Sequence, residues 1–316
     1  MPLNQPTTTW RRSELCMGTQ VHLSVVGRTQ ATAEEALMHA FQVIRQVESC
    51  CSRFDRTSEL AQLCRVVGQP VAVSDILFEA VRFAVEVAAL TQGHFDPTVG
   101  RAMELAGFNQ HYLTAERVNT ELGEGEQVSY RDVRVDEEAR TVCLTKPMVL
   151  DIGAVAKGLG VDLAAQVLRS YAFQGFTIDA GGDLYVAGTN ARDEPWRVGI
   201  RHPVHREESI LTLRLTDAAV CTSGSYERIS PVHAGTHHIL DPVAHQSPKE
   251  LVSLTAIGSF AMMADAFSTA GFVLGWEQGR ALLASVDLEA VAITNQLAVH
   301  MTPGVEGYVW ENTIDR

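Results

Sequence analysis

From residue 127 to residue 224 the sequence sets short β patterns one after another, with a single helical pattern among them. Strands are expected at 127–135, 140–145 and 148–151, and FTIDAGGDLYVAG (176–188) reads as strand, Gly-Gly turn, strand. WRVGIRHP and SILTLRLTDAAVCTSGSYER supply more. Adjacent strand runs broken by helices, without strict βαβ alternation, predict an α+β fold of mainly antiparallel sheets with packed helices. Apolar residues make up 46% of the chain, enough for a large core. No fixed repeat or linker divides the sequence, so one domain over residues 1–316 is expected.

The flanking segments carry clear periods. QVHLSVV (20–26) alternates as a half-buried strand does, behind Met17-Gly18-Thr19, a strand lead-in or a ligand-facing turn. The segment from residue 31 places Ala36, Leu37, Ala40, Phe41, Ile44 and Val47 at helical spacing. Asp55 or Thr57 can cap a short helix after it. A second long helix opens at Ser74 and stops at Gly93. In HFDPTVGR (94–101) the proline forces Asp96 into extended geometry and predicts an ordered loop. Residues 102–126 read as a surface loop marked by Gly123 and Gly125. HHILDP (237–242) is expected as a strand, followed by LVSLTAIG, helices at 261–275 and 276–285, and strands at 289–294 and 296–301.

Two stretches put polar groups where packed elements do not otherwise want them. In ADAFSTAG, Asp265 and Thr269 stand four apart, so their side chains share one helix face about 5–6 Å apart. A carboxylate with a hydroxyl suits a hard cation such as Mg²⁺. An acid near a helix start with a back-bonded threonine explains the same spacing equally well. In DIGAVAKGLGVDLAAQVL (151–168), a turn into a helix start exposes N–H groups to an anion, Lys157 adds positive charge, and Gly158 and Gly160 permit close approach. A glycine-kinked helix with an exposed lysine is the plain alternative. Neither a Walker A loop nor a dinucleotide fingerprint is present.

Other classes are excluded more directly. A formal charge of −13 and no basic run argue against nucleic-acid binding. The cysteines at 16, 50, 51, 64, 143 and 221 lack CxxC spacing, and the histidines at 233, 237, 238 and 245 fit no zinc signature. Ser223 lacks a nucleophile elbow. No apolar run is long enough for a membrane span, and nothing hydrophobic follows Arg11-Arg12 as an export signal requires, so a cytoplasmic protein is expected.

Eight pieces, in order, resemble the ApbE family of FAD:protein FMN transferases: MGT at 17, SRFDRTSEL at 52, HFDPTVG at 94, DIGAVAKG at 151, DAGGDLYVAG at 179, TSGSYER at 222, HHILDP at 237 and ADAFSTAGFVLG at 264. They span residues 17 to about 275. The resemblance implies the family's flavin transferase fold and transfer of the FMN moiety of FAD onto a Thr or Ser hydroxyl of an acceptor flavoprotein, with Mg²⁺ required and AMP released. It implies Mg²⁺ on Asp265, Thr269 and the Ala154 carbonyl. It implies FAD against Met17, Phe54, His94, Phe95, Asp96, Asp151, Lys157, His238 and Ile239. His238 is then the candidate base, Asp96 the second, and Lys157 a point charge beside the diphosphate. FAD hydrolysis to FMN and AMP, or FAD carriage without chemistry, would use the same pocket. Family members are often exported, which makes the periplasmic side of the inner membrane the alternative location.

Overall fold

A computed structural model describes residues 7–120 and 127–312, so the expected glycine markers Gly123 and Gly125 lie outside the described residues. The chain opens with Thr9–Cys16 (β1) and Thr19–Val26 (β2), then Gln30–Cys51 (α1), Glu59–Leu63 (α2), Val71–Ala72 (β3), Asp75–Leu90 (α3) and Gly100–Leu105 (α4). Val133–Asp136 (β4) and Thr141–Leu144 (β5) precede Gly153–Ser170 (α5), Gly175–Ala180 (β6) and Asp183–Gly188 (β7). Trp196–Arg201 (β8), Ser209–Leu215 (β9), Ala218–Gly224 (β10) and Leu251–Gly258 (β11) follow. Ala261–Ser285 (α6), Glu289–Thr294 (β12), Val299–Met301 (β13) and Val309–Asn312 (β14) complete it.

Eight strands form one sheet in the order β1-β2-β6-β7-β10-β11-β12-β13, and neighbouring strands pair antiparallel throughout. Two three-stranded sheets, β14-β9-β8 and β3-β5-β4, are antiparallel as well. The α+β reading holds.

Strand alternation decides which face meets which layer. Ala290 and Ala292 of β12 face the helices, while Val291 and Ile293 face the other way. On β10, Ala219 and Cys221 point to the helices and Val220 away from them. Small residues toward the helices let α5 and α6 pack close; branched residues on the opposite face meet Leu211, Leu213 and Leu215 of β9. The six apolar positions expected on α1 are all buried, and Thr29 caps that helix by accepting from the Thr32 N–H.

Several expectations need correction. Residues 148–151 are not a strand; the Asp151 N–H donates instead to the Pro97 carbonyl at 2.7 Å, tying two loops together. HHILDP is not a strand either, because only isolated bridges (Ile229 with His237, Asp241 with Gln246) form there. The loop expected over 102–126 begins inside α4, which runs to Leu105. β1 carries no apolar alternation because, as an edge strand, it covers little of the core. The two helices expected at 261–285 run together across a break at Gly275, whose φ of 77° is left-handed. Glu250 fills the space a side chain there would need and accepts from the Trp276 N–H at 2.8 Å. Among the described residues no helix is long and apolar enough to cross a membrane.

Candidate active site

The helices over the central sheet stop short of closing it, and a cavity of about 710 Å³ opens between α1, α5, α6 and the loops after β1, α3 and β10. Every site residue expected from the sequence lines it: Met17, Phe54, His94, Phe95, Asp96, Asp151, Ala154, Lys157, His238, Ile239, Asp265 and Thr269.

The deepest part is electrostatic. Lys157, on the second turn of α5, donates from Nζ to Asp183 Oδ2 and, at 3.0 Å, to Asp265 Oδ2. Asp183 is 2% exposed and Asp265 3%. Burial alone would lower the Lys157 ammonium, but the two carboxylates outweigh it and hold the group above its ordinary value. Burial, then the neighbouring Asp183 charge, pushes Asp265 up. One ammonium thus faces two desolvated carboxylates, and the upward push on Asp265 reflects how little compensation the second one receives. Thr269, one turn from Asp265 on α6, bonds through its hydroxyl to Ser223 Oγ at 2.9 Å rather than back to its own helix.

This donor set fits a magnesium ion. A cation would supply the compensation that the Asp265 carboxylate lacks, and the carboxylate and hydroxyl are hard oxygen ligands. Among the described residues no three His, Cys, Asp or Glu are grouped as an all-protein cage. That is consistent with Mg²⁺, which keeps few protein ligands and takes water and phosphate oxygens for the rest.

The walls have separate causes. Asp151 accepts from Arg53 Nε at 2.6 Å and from the Gly153 N–H at 3.0 Å. Although burial opposes it, Arg53 holds the Asp151 carboxyl below the usual range. Arg53 also lies over the Phe54 ring at 4.1 Å and donates to the Phe108 carbonyl. Met17 adopts a positive φ of 54°, with its N–H on Glu48 Oε1 at 2.8 Å, so the turn after β1 is shaped as part of the pocket. Asp96 caps its loop: Oδ1 accepts from the N–H and hydroxyl of Thr98, and Oδ2 from the Tyr130 N–H. Those bonds anchor both oxygens in the wall, and burial raises the Asp96 carboxyl above its ordinary value. His238 is the reverse case. Burial and then the Arg228 charge lower it to about 4, and its Nδ1 has no hydrogen-bond partner. It is a neutral imidazole against the cavity, edge-on to Phe108.

Among the described residues, Arg53 Nη1 and His238 Nδ1 are buried in the cavity wall without a hydrogen-bond partner, while His94 Nδ1 lies 3.4 Å from Asp241 Oδ1. Buried polar atoms are normally satisfied. Their concentration here fits a polar ligand such as FAD. At Gly158 and Gly160 the close approach is of protein to protein. A Cβ on Gly158 would sit 2.4 Å from the Ala261 carbonyl oxygen, and one on Gly160 3.0 Å from Met17 Sδ. These glycines let α5 approach α6 and the β1–β2 turn.

The same segments place the chain among known proteins, for the family model named ApbE family matches residues 17–292. The chain belongs to the ApbE family. Among curated ApbE relatives, the FAD:protein FMN transferase of Treponema pallidum is 31% identical over 293 residues, covering 87% of this chain and 81% of that protein. The FAD:protein FMN transferase of Haemophilus influenzae is 28% identical over 299 residues, covering 90% and 84%. The crystal structure of the ApbE protein from Thermotoga maritima superposes with a TM-score of 0.83 at 27% identity, covering 96% of this chain and all of that one. The flavin transferase ApbE from Vibrio cholerae shares the fold with a TM-score of 0.82.

Within this ApbE-type pocket, sequence reasoning missed the residues that act on other residues. Asp183, Arg53 and Glu48 each ion-pair with or hold a wall group, and Asp162 accepts from the N–H groups of Ala261 and Met262 at the start of α6. Asp183 carried a signal: a charge opening a strand otherwise destined for burial.

Proposed function

We propose that this chain is an FAD:protein FMN transferase, acting as one domain, that joins the FMN moiety of FAD to a Thr or Ser hydroxyl of an acceptor protein and releases AMP. One juxtaposition carries the reading: Lys157, Asp265, Thr269 and a neutral His238 share the wall of one cavity. The names of the curated relatives support it.

Asp265 and Thr269, with the carbonyl of Ala154, would hold Mg²⁺, whose charge when bound neutralises the diphosphate and the developing negative charge at phosphorus. Lys157 adds a fixed positive charge beside the same oxygens. Phe54, Phe95 and Ile239 provide the apolar wall for the flavin or adenine ring, and Arg53 Nη1 an unmet polar contact. His238 accepts the acceptor's hydroxyl proton; the freed oxygen bonds to the FMN-side phosphorus, and the bond to AMP breaks with its electron pair leaving on AMP.

Incubation with FAD, Mg²⁺ and an acceptor domain should yield the FMN mass increment on the acceptor and equimolar AMP, and EDTA should remove both. AMP without a labelled acceptor would replace transfer by hydrolysis. Undiminished labelling in EDTA would remove the metal from the proposal.

A further inference from the structure

Asp183 stands at the first position of β7, directly after the Gly181-Gly182 turn, whose two glycines have φ of 70° and 104°. β7 pairs with β10 so that Asp183 lies opposite Cys221, behind the metal-binding face of α6. Its carboxylate and that of Asp265 both accept from Lys157 Nζ. A buried ammonium must be paired, and an isolated Lys157 beside Asp265 would take that carboxylate as its counter-ion.

We propose that Asp183 is a positioning residue: by holding the Lys157 ammonium it keeps Asp265 available to a divalent cation. The inference rests on the metal reading above. Lys157 already donates to Asp265 Oδ2 at 3.0 Å; without Asp183 that carboxylate becomes the ammonium's sole close counter-ion, and a cation must displace the ammonium to bind. With Asp183 present, the ammonium keeps a counter-ion when Asp265 turns to the metal, and Lys157, the two carboxylates and a divalent cation together present one net positive charge to the phosphate oxygens.

The test is Mn²⁺ binding to the full-length protein, read by the electron paramagnetic resonance signal of free Mn²⁺, with fold checked by circular dichroism. Asp183→Asn should raise the Kd about tenfold or more. In a Lys157→Met background the same substitution should change it less than about threefold, because the residue acts through the lysine. An unchanged Kd in folded Asp183→Asn overturns the proposal. An equal effect in both backgrounds also overturns it, since Asp183 would then act on the metal directly. If Asp183→Asn does not fold, Lys157→Arg serves in its place: the wider guanidinium reaches Asp265 past Asp183, and the Kd should rise; an unchanged value overturns the proposal. Wild-type protein that takes up no Mn²⁺ overturns the metal reading itself, a result separable from all of these.

Discussion

At the scale of single residues, the site turns on how each charge is matched. Asp96 and His238 are both polar, both on the cavity wall, and equivalent on paper as bases. Their hydrogen bonds separate them. Asp96 has both oxygens engaged by its own loop and by Tyr130, whereas His238 is neutral with an unpartnered ring nitrogen. His238→Ala should therefore lower kcat roughly 10²–10⁴-fold while FAD affinity moves only a few-fold; a loss confined to affinity would make His238 a binding residue. A stability signature accompanies it. The folded value near 4 lies below the ordinary 6.5, so between those values the unfolded chain binds the proton and the native one does not. The contribution of neutral His238 is present above about pH 6.5 and is lost as the pH falls toward 4. Urea titrations of ligand-free protein across that window should show a shallower acid-side decline in His238→Gln than in wild type, and parallel curves would contradict the assignment.

Elements matter here through how closely they approach. α5 carries Ala154 and Lys157, α6 carries Asp265 and Thr269, and the site exists because Gly158 lets the backbones of the two helices meet. An alanine in a helix interior ordinarily gains about 1 kcal/mol over glycine. At Gly158 the new methyl would meet backbone atoms of Ala261 and Met262 at 2.4–2.5 Å, which cannot rotate away. Overpacking of about 1–3 kcal/mol should win. Gly158→Ala is thus expected to lower the urea midpoint and to weaken FAD binding together, whereas Gly160→Ala, facing the movable end of Met17, should do little to stability. Equal stability of Gly158→Ala and wild type would refute this account of the α5–α6 contact. Asp162 reinforces the contact by accepting the first N–H groups of α6, and burial raises that carboxyl to about 6.

For the molecule as a whole, the pocket is assembled from segments as far apart as Met17 and Val273. A ligand that bridges them ties the helical layer to the sheet edge. FAD with Mg²⁺ should then stabilise more than the sum of FAD and Mg²⁺ alone, because the metal and the diphosphate complete each other's coordination. A ligand at a hundred times its Kd adds about 2.7 kcal/mol, roughly several degrees in Tm for a chain of this size. Thermal shifts that are merely additive, or an excess that survives EDTA, would count against a shared metal and diphosphate site.

Much of this was legible in the residue order. The buried face of α1 is written in Ala36, Leu37, Ala40, Phe41, Ile44 and Val47, and strand patterns without βαβ alternation specified antiparallel sheet. Asp265 and Thr269 are neighbours by helical geometry alone, and the DIGAVAKG stretch shows its acid, lysine and glycines openly. These are local facts, fixed by periods of two and 3.6 residues. Local periods say nothing about what stands opposite. Only the tertiary structure decided that Arg53 neutralises Asp151, that Gly158 lets α5 meet α6, that HHILDP lines the pocket without pairing as a strand, and that Asp183 shares Lys157 with Asp265. Charge matching in a buried site depends on which groups the fold brings within a few ångströms, and the partners here are separated by 26 to 108 positions along the chain.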